Sequence, residues 1–445
     1  MNLYRMLKQR EADNNPIRVA LIGAGKFGSM FLSQAHRTPG MRLVAVADLR
    51  PDAARAALTK VGWPASALQT PSIREACRQG GVYCCDDAFE VIGHGDVDVV
   101  IDATGSASAG IQHVLACCES GTHIIMVNVE ADALAGPLLA RRAREAGIVY
   151  SLAYGDQPAL ICEMVDWART SGFEVTAAGK GTKYLPAFHT STPETVWPYY
   201  GFTPEMVAAG DFNAQMFNSF LDGTKSAIEM AAVANATGLV PAPSGLHFPP
   251  CGVDDLARVL RPRDEGGMLH HRGQVEVVSS LERDGRPVYR DLRWGVYAVI
   301  AADSDYVRRC FREYGVVTDP GGNYSAMYKP YHLMGMELGI SVASVVLRRE
   351  PTGTPTGWHG DVVATAKRDM APGTLLDGEG GYTVYGRLMP ARDSVRGGYL
   401  PLGLAHDVKL KTAVRATQGI RWCDVEFDDN STAIQFRRQM EQEHI

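Results

Sequence analysis

The sequence predicts an α/β chain: a doubly wound parallel sheet, then a mixed α+β region, then a β-rich C-terminal module. Three observations predict it. Apolar runs without polar alternation recur between helical patterns up to residue 152. A glycine-rich turn directly follows the first of these runs. Strand-like alternation then dominates residues 274–300 and 361–427.

The first run, IRVALI at residues 17–22, suits a strand covered on both faces. A helical pattern follows to about His36, and a second run, residues 43–47, ends at Asp48. Residues 97–103 repeat the strand pattern and lead through Gly105 into a helix ending near Glu119. A strand at 123–127, a helix at 131–145 and a strand at 148–152 complete the series. Strands alternating with helices imply a parallel sheet. Residues 64–95 fit this rhythm poorly and read as an insertion with a helix near 73–78. Beyond Asp156 come a helix (159–170), a strand (174–178), the turn Gly179-Lys180-Gly181-Thr182-Lys183 and an irregular aromatic stretch. A strong helix is expected over 219–235 and a long closing helix over 327–348. The Pro/Gly/Thr-rich stretch 350–360 reads as a linker, and 432–443 as a short polar helix.

The chain has 445 residues, which at ~150 residues per domain suggests about three domains. The expected divisions are 1–155, a nucleotide-binding domain; 156–355, a catalytic domain whose last helix packs back; and 356–445, the β-rich module. A net charge of −6 offers no general basic surface for nucleic acid. The apolar runs are too short to span a bilayer, and the charged residues 1–16 do not read as a signal peptide. A cytoplasmic protein with a small-molecule partner, no membrane contact and a homo-oligomeric state is expected. The nine cysteines show no zinc-site spacing and read as buried fillers.

Gly23-Ala24-Gly25-Lys26-Phe27-Gly28 follows a strand, opens a helix and precedes Asp48 by 20 positions. These contexts turn a weak motif into a dinucleotide site. Gly23 suits the tight turn, Gly25 close approach of a pyrophosphate, and Gly28 the packing of helix on strand. Asp48 suits a free ribose 2′-hydroxyl, whereas Arg50 and Lys26 suit a 2′-phosphate, so the residues leave NAD and NADP open. Thr104 and Gly105 end one strand and Asn128 and Glu130 the next, where a cofactor would meet the sheet. The plainer role for Asn128 is a helix cap.

The chain holds 34 Arg but 10 Lys, and residues 170–257 hold no Arg at all. That stretch contains Lys180, Lys183 and Lys225. Lysine can lose its proton when desolvated and arginine cannot, so the bias points to ammonium chemistry. Asp222, Lys225 and Glu229 have the spacing of one helix face, either a site wall or a salt-bridged core feature. Asp156, at a strand-to-helix junction, is a candidate acid or a helix cap. Lys329 and His332, at the start of the closing helix, form another polar group. No nucleophile elbow or Walker loop is present, so hydrolase and kinase readings lack support.

The order of Gly23–Gly28, Asn128, Asp156-Gln157-Pro158 and the Gly179–Lys183 segment resembles homoserine dehydrogenase-like oxidoreductases. Residues 361–427, with VVATAKRDMAPGTLL, resemble an SAF (β-clip) domain. Together with NSFLDGTKSAIEMAAVANATG and YKPYHL, the combination is similar to the 1-deoxy-D-xylulose 5-phosphate reductoisomerase-like (DXR-like, DRL) family. The chain departs from homoserine dehydrogenases in having Asn128-Val129-Glu130 for an Asn-Lys pair and Gly181-Thr182-Lys183-Tyr184 for Gly-Thr-Thr-Asn.

The resemblance implies a catalytic domain of homoserine dehydrogenase type, NADPH as cofactor, and conversion of 1-deoxy-D-xylulose 5-phosphate to 2-C-methyl-D-erythritol 4-phosphate in isoprenoid precursor synthesis. It implies catalytic roles for Lys180, Lys183, Asp156, Glu130 and Glu229. Asn218, Ser219, Asp222, Lys225, Lys329 and His332 would bind the phosphorylated sugar. Asp156, Glu130 and Glu229 are the candidate ligands of a Mg²⁺ or Mn²⁺ ion. The alternative is an NAD(P)-dependent homoserine or sugar-acid dehydrogenase without rearrangement, and a third reading is a binding module without turnover.

Overall fold

A computed structural model of the protein describes residues 2–209 and 212–443. The chain divides into two units. The first runs up to Glu163 and takes in His332–Thr356; the second comprises Met164–Tyr331 and the residues from Gly357 onward. Among the described residues no helix is long and apolar enough to cross a membrane.

The first unit is a six-stranded parallel sheet. Its strands are β1 (Ile17–Ile22), β2 (Met41–Ala47), β3 (Tyr83–Cys85), β4 (Val99–Asp102), β5 (His123–Met126) and β6 (Tyr150–Leu152). Their order is β3-β2-β1-β4-β5-β6. The chain turns back between β1 and β4, the switch point at which such sheets bind dinucleotides. Residues 64–95 are not an insertion. They supply the helix Ile73–Gln79, capped by Ser72, and the edge strand β3. A three-residue strand after Gly80 and Gly81 is too short to leave an apolar run.

Leu21, Phe31, Leu32, Val46 and Ile101 form the core of this unit together with Val342, Ala343 and Val345. The last three belong to a helix that covers only Gly339–Arg348. The expected helix over 327–348 is therefore wrong in its first half. Tyr324–Lys329 form a strand, Pro330 stops it, and Gly335 adopts φ +76°. A Cβ at Gly335 would lie 2.7 Å from the carbonyl oxygen of Phe27, so this glycine lets the returning chain lie against the helix Lys26–Ala35.

The second unit contains β7 (Glu174–Thr182), β8 (Val240–Pro241), β9 (Gln274–Ser279), β10 (Val296–Ala301) and β11 (Tyr324–Lys329), in the order β11-β10-β7-β9-β8. β10 is antiparallel to β7 and β11, whereas β9 is parallel to β7 and β8. The segment expected as a turn at 179–183 continues β7 to Thr182. Its glycines serve neighbouring backbones instead. A Cβ on Gly179 would lie 1.7 Å from the Glu276 carbonyl oxygen, and one on Gly181 1.9 Å from that of Leu292.

The expected helix over 219–235 is two helices, Ala214–Leu221 and Thr224–Thr237, broken at Asp222-Gly223. Gly223 adopts φ +87°, which a side chain resists. The second helix is buried at every residue except Ala236. It packs against β7 and β9 and against the strands β12 (Gly360–Ala366) and β14 (Val384–Pro390) of the β-rich module. Gly360 permits the approach: its Cβ would stand 3.1 Å from Ala234 Cβ. The module adds a second small sheet of β13 (Leu375–Asp377), β15 (His406–Leu410) and β16 (Val425–Glu426). On the C-terminal helix Thr432–Glu443, the fully buried Arg437 donates to both carboxylate oxygens of Asp361 and to Glu441.

One buried acid of the first unit has a measurable consequence. Asp132, on the helix Val129–Glu145, is fully buried and accepts a 2.7 Å hydrogen bond from the Tyr150 hydroxyl, while its Oδ2 has no partner. Burial pushes its pKa up to about 7, and the Tyr150 hydrogen bond opposes the rise. The folded carboxyl thus keeps a proton that the unfolded chain loses near pH 4. Its contribution is full below pH 4 and is lost as pH rises to about 7. Denaturant unfolding of wild type and Asp132→Asn should show wild type losing up to about 4 kcal/mol relative to the variant between pH 4 and 8. A difference that does not change with pH would contradict this.

Candidate functional site

The glycine turn of the first unit links β1 to the helix Lys26–Ala35. Gly23 adopts φ +92°, and its Cβ would lie 2.8 Å from the Ala103 carbonyl oxygen. A Cβ on Gly28 would lie 2.3 Å from the Gly23 carbonyl oxygen. Both positions exclude a side chain for the protein's own packing. Gly25 differs: nothing lies within 4 Å of its Cβ position. It is exposed, and no side chain caps the helix it begins. Open space before an uncapped helix N-terminus fits the pyrophosphate of a dinucleotide.

Asp48, at the end of β2, accepts from the backbone N–H of Ala24 at 2.9 Å and of Arg50 at 3.0 Å. The acid expected at the ribose also braces the loop. Lys26 and Arg50 are exposed beside it, as are Thr104 and Gly105 beyond β4, while Phe27 packs partly into the core. Asn128 is buried and committed. Its amide donates to the Thr104 hydroxyl and the Ser106 carbonyl, and its oxygen caps the next helix at Ala131. These bonds position the Thr104–Ser106 loop. The sequence reading missed its neighbour: Asp102, fully buried, accepts from Thr104 and pairs with His113 at 3.1 Å.

Asp156 is buried in this unit, and its Oδ1 accepts from the N–H of Gln157. The Gln157 side chain lies 3.4 Å from His332 Nδ1. Glu130 is half-buried in the first turn of its helix. The third expected metal ligand, Glu229, belongs to the second unit and is paired there with Lys180. Among the described residues no three His, Cys, Asp or Glu side chains converge to hold a metal ion, so the expected cation set is not assembled.

In the second unit, Lys180 and Glu229 form a buried ion pair between β7 and the helix Thr224–Thr237. Each is 5% exposed or less. Lys225 precedes Glu229 by one helical turn and is also buried. Lys180 and Lys329 both register with Val296 of β10, so the two lysines share one row and one face of the sheet. Two strand spacings put them about 10 Å apart along that row. Lys180, Lys225, Glu229 and Lys329 are the expected residues that the fold gathers.

Other expected residues are spent internally. Asn218 exchanges hydrogen bonds with Ser191 and donates to the Gly380 carbonyl. The Ser219 hydroxyl donates to the Met216 carbonyl. Asp222, displaced from the helix by the Gly223 break, lies 2.7 Å from Lys367 Nζ, which also donates to the Ser191 and Gly381 carbonyls. Asn218 and Asp222 thus fasten β-module loops to the helices, and Ser219 is bonded within its own helix. Lys183 donates to the Tyr199 carbonyl, and burial lowers its pKa, with the Arg293 charge adding to the effect.

A second polar pair escaped the sequence. The Tyr184 hydroxyl lies 2.8 Å from His189 Nε2, and His189 Nδ1 lies 2.7 Å from the Asp222 carbonyl oxygen. That oxygen only accepts, so Nδ1 holds the proton and Nε2 accepts from Tyr184. Burial holds His189 neutral by lowering its pKa and pushes Tyr184 up to about 12. No periodicity marks the pair, because residues 183–190 leave β7 as irregular chain and a 3₁₀ turn.

Comparison with known proteins agrees with this geometry. Residues 17–126 match the model of the oxidoreductase family with an NAD-binding Rossmann fold. Residues 155–338 match the model of the catalytic domain of Oxidoreductase DRL. Similar solved structures include a 3-ketoreductase from Actinomadura kijaniata with NADP (20% identity, 38% of this chain and 50% of that one, TM-score 0.25). A myo-inositol dehydrogenase from Lactobacillus casei with NAD(H) and myo-inositol is another (17%, 41% and 50%, 0.29). A third is a putative NADPH-dependent oxidoreductase from Desulfitobacterium hafniense (12%, 76% and 89%, 0.38). The chain spans about half the length of the first two. A search of curated proteins found no match. The match to the NAD-binding Rossmann model falls on the switch-point sheet that carries the glycine loop.

The loop geometry separates two glycines. Gly25→Ala should leave stability within about 0.5 kcal/mol of wild type, yet weaken NADPH or NADH binding about tenfold or more. Gly23→Ala should cost at least about 1 kcal/mol through strain. Thermal melts and fluorescence titrations read both, and unchanged dinucleotide affinity in Gly25→Ala would remove the loop from binding.

Proposed function

We propose that the protein is an NAD(P)-dependent dehydrogenase acting on a hydroxyl group of a small polar substrate, such as a hydroxy acid or sugar acid, without rearranging its carbon skeleton. The observation that carries this reading is the buried Lys180–Glu229 pair, with Lys225 beside it and Lys329 on the same sheet face. A bound nicotinamide dinucleotide supplies hydride exchange, and Gly23, Gly25, Gly28 and Asp48 are the residues that would hold it. In this reading Lys180 manages the proton on the substrate oxygen. In the oxidation direction the Lys180 ammonium first passes a proton to the Glu229 carboxylate, and the neutral amine then takes the hydroxyl proton as the alcohol becomes a carbonyl; in the reverse direction the ammonium gives its proton to the carbonyl oxygen. Glu229 sets the position and charge of the Lys180 ammonium. Lys225 and Lys329 add positive charge suited to a substrate carboxylate.

A second reading rests on the match of residues 155–338 to the DRL catalytic domain. It makes the substrate 1-deoxy-D-xylulose 5-phosphate and adds a skeletal rearrangement before reduction. The internal use of Asn218, Ser219 and Asp222 weighs against it, since these were its expected phosphate ligands.

Absorbance at 340 nm distinguishes the two. Purified protein would be assayed with NAD⁺ and NADP⁺ against homoserine, sugar acids and polyols, and with NADPH against 1-deoxy-D-xylulose 5-phosphate with and without Mg²⁺ or Mn²⁺. Reduction of the dinucleotide by an unphosphorylated substrate, with a product of unchanged skeleton, is expected. Methylerythritol phosphate as product would establish the second reading. Failure to turn over any substrate on the panel, with dinucleotide bound, would favour a binding module.

A further inference from the structure

The first unit carries a second concavity, at the opposite end of its sheet from the glycine loop. It is a pocket of about 550 Å³ whose lining includes Arg18, Arg42, Arg74, Arg78, Cys77 and Asp96. Arg18 and Arg42 are the second residues of β1 and β2, and Asp96 precedes β4. The pocket therefore lies at the amino edge of the strands. From Arg18 to Gly23 the chain advances five residues, about 17 Å of extended strand.

Its charges are poorly balanced by the protein. Arg18 and Arg42 are register partners on neighbouring parallel strands, a placement in which like charges repel. Arg18 is neutralised by a two-pronged contact with Asp98 and a further one with Asp96. Arg42 has no such partner. It is half-buried, and among the described residues its side chain makes a 2.6 Å hydrogen bond to the Cys77 carbonyl, a neutral acceptor. Arg74 and Arg78 stand one turn apart on the helix Ile73–Gln79, and neither has a partner among the described residues. Like charges at that spacing destabilise a helix. Three guanidinium groups without a carboxylate thus share a pocket in a chain of net charge −6. Guanidinium forks match phosphate and carboxylate oxygens in pairs.

We propose that this pocket binds a small polyanion, carrying at least two phosphate or carboxylate groups, at a site separate from the dinucleotide loop. Arg42, Arg74 and Arg78 are its ligands, and Arg18, tied to Asp96 and Asp98, forms its wall. The shared chemistry is a cluster of anionic oxygens. Pyrophosphate and citrate are probes that distinguish a phosphate from a carboxylate source.

The test is isothermal titration of the full chain with each probe, with NADPH present at saturation so that the loop site is filled. One saturable site per chain is expected for at least one probe. Its Kd should rise about tenfold or more in Arg74→Ala/Arg78→Ala, with the NADPH Kd unchanged. Both replaced side chains are exposed, so this variant keeps the fold; Arg42→Gln then reports on the half-buried ligand. A control pair elsewhere, Arg308→Ala/Arg309→Ala, should leave the probe affinity unaltered. No saturable binding up to about 10 mM of either probe, unchanged affinity in the double variant, or an equal loss in the control pair would overturn the proposal.

Discussion

The packing of the second unit takes a lysine and a glutamate out of water together. The helix Thr224–Thr237 is enclosed between β7 and β9 on one side and β12 and β14 on the other. A helix buried all round should be apolar all round. This one instead carries Lys225 and Glu229 into its buried surface, and Glu229 is tolerated there because Lys180 meets it from the strand. Removing either partner would leave a buried charge uncompensated, at about 3–5 kcal/mol. The backbone arrangement follows from the same packing. Gly179 and Gly181 flank Lys180 and give neighbouring backbone room, and Gly360 gives the helix room from the module side. A buried ion pair is weak evidence for stability, since well-packed apolar residues serve at least as well. The function proposed above gives the pair a use in proton transfer.

The first unit was legible because its signals are long and repeated. Apolar strands, the glycine turn and an acid at the end of β2 fall where the parallel fold requires them. β3 was lost because three residues cannot show a period, and Tyr83-Cys84-Cys85 resembles loop sequence. Glycines misled twice, in opposite directions. Gly179 and Gly181 read as a turn but lie in a strand crowded by neighbouring carbonyls, whereas Gly223 sat unnoticed in a helical run and breaks it. The closing helix is shorter than its apolar pattern, because Tyr324–Lys329 pair as a strand and Pro330 and the positive φ of Gly335 keep the next residues out of the helix.

Residue type at the candidate site was readable, but pairing was not. A scarcity of arginine around Lys180, Lys183 and Lys225 marks the region in which Lys180 and Glu229 are buried together. That Lys180 meets Glu229 is a tertiary fact between residues 49 apart in sequence. Asn218, Ser219 and Asp222 resemble ligands because they are polar and close to lysine, but residues 367–381 of the β-module occupy Asn218 and Asp222, and the Met216 carbonyl occupies Ser219. His189 and Tyr184 left no trace because irregular chain has no period to reveal them.

The most direct test of the account replaces the ion pair by apolar side chains of similar size. Lys180→Met/Glu229→Leu would be compared with wild type in thermal unfolding, NADPH affinity and turnover of whichever substrate the wild type accepts. Chemistry at the pair predicts a variant that folds at least as well, binds the dinucleotide equally, and loses about 10²-fold or more in kcat. A variant that folds and retains wild-type kcat would show that the pair serves the core alone.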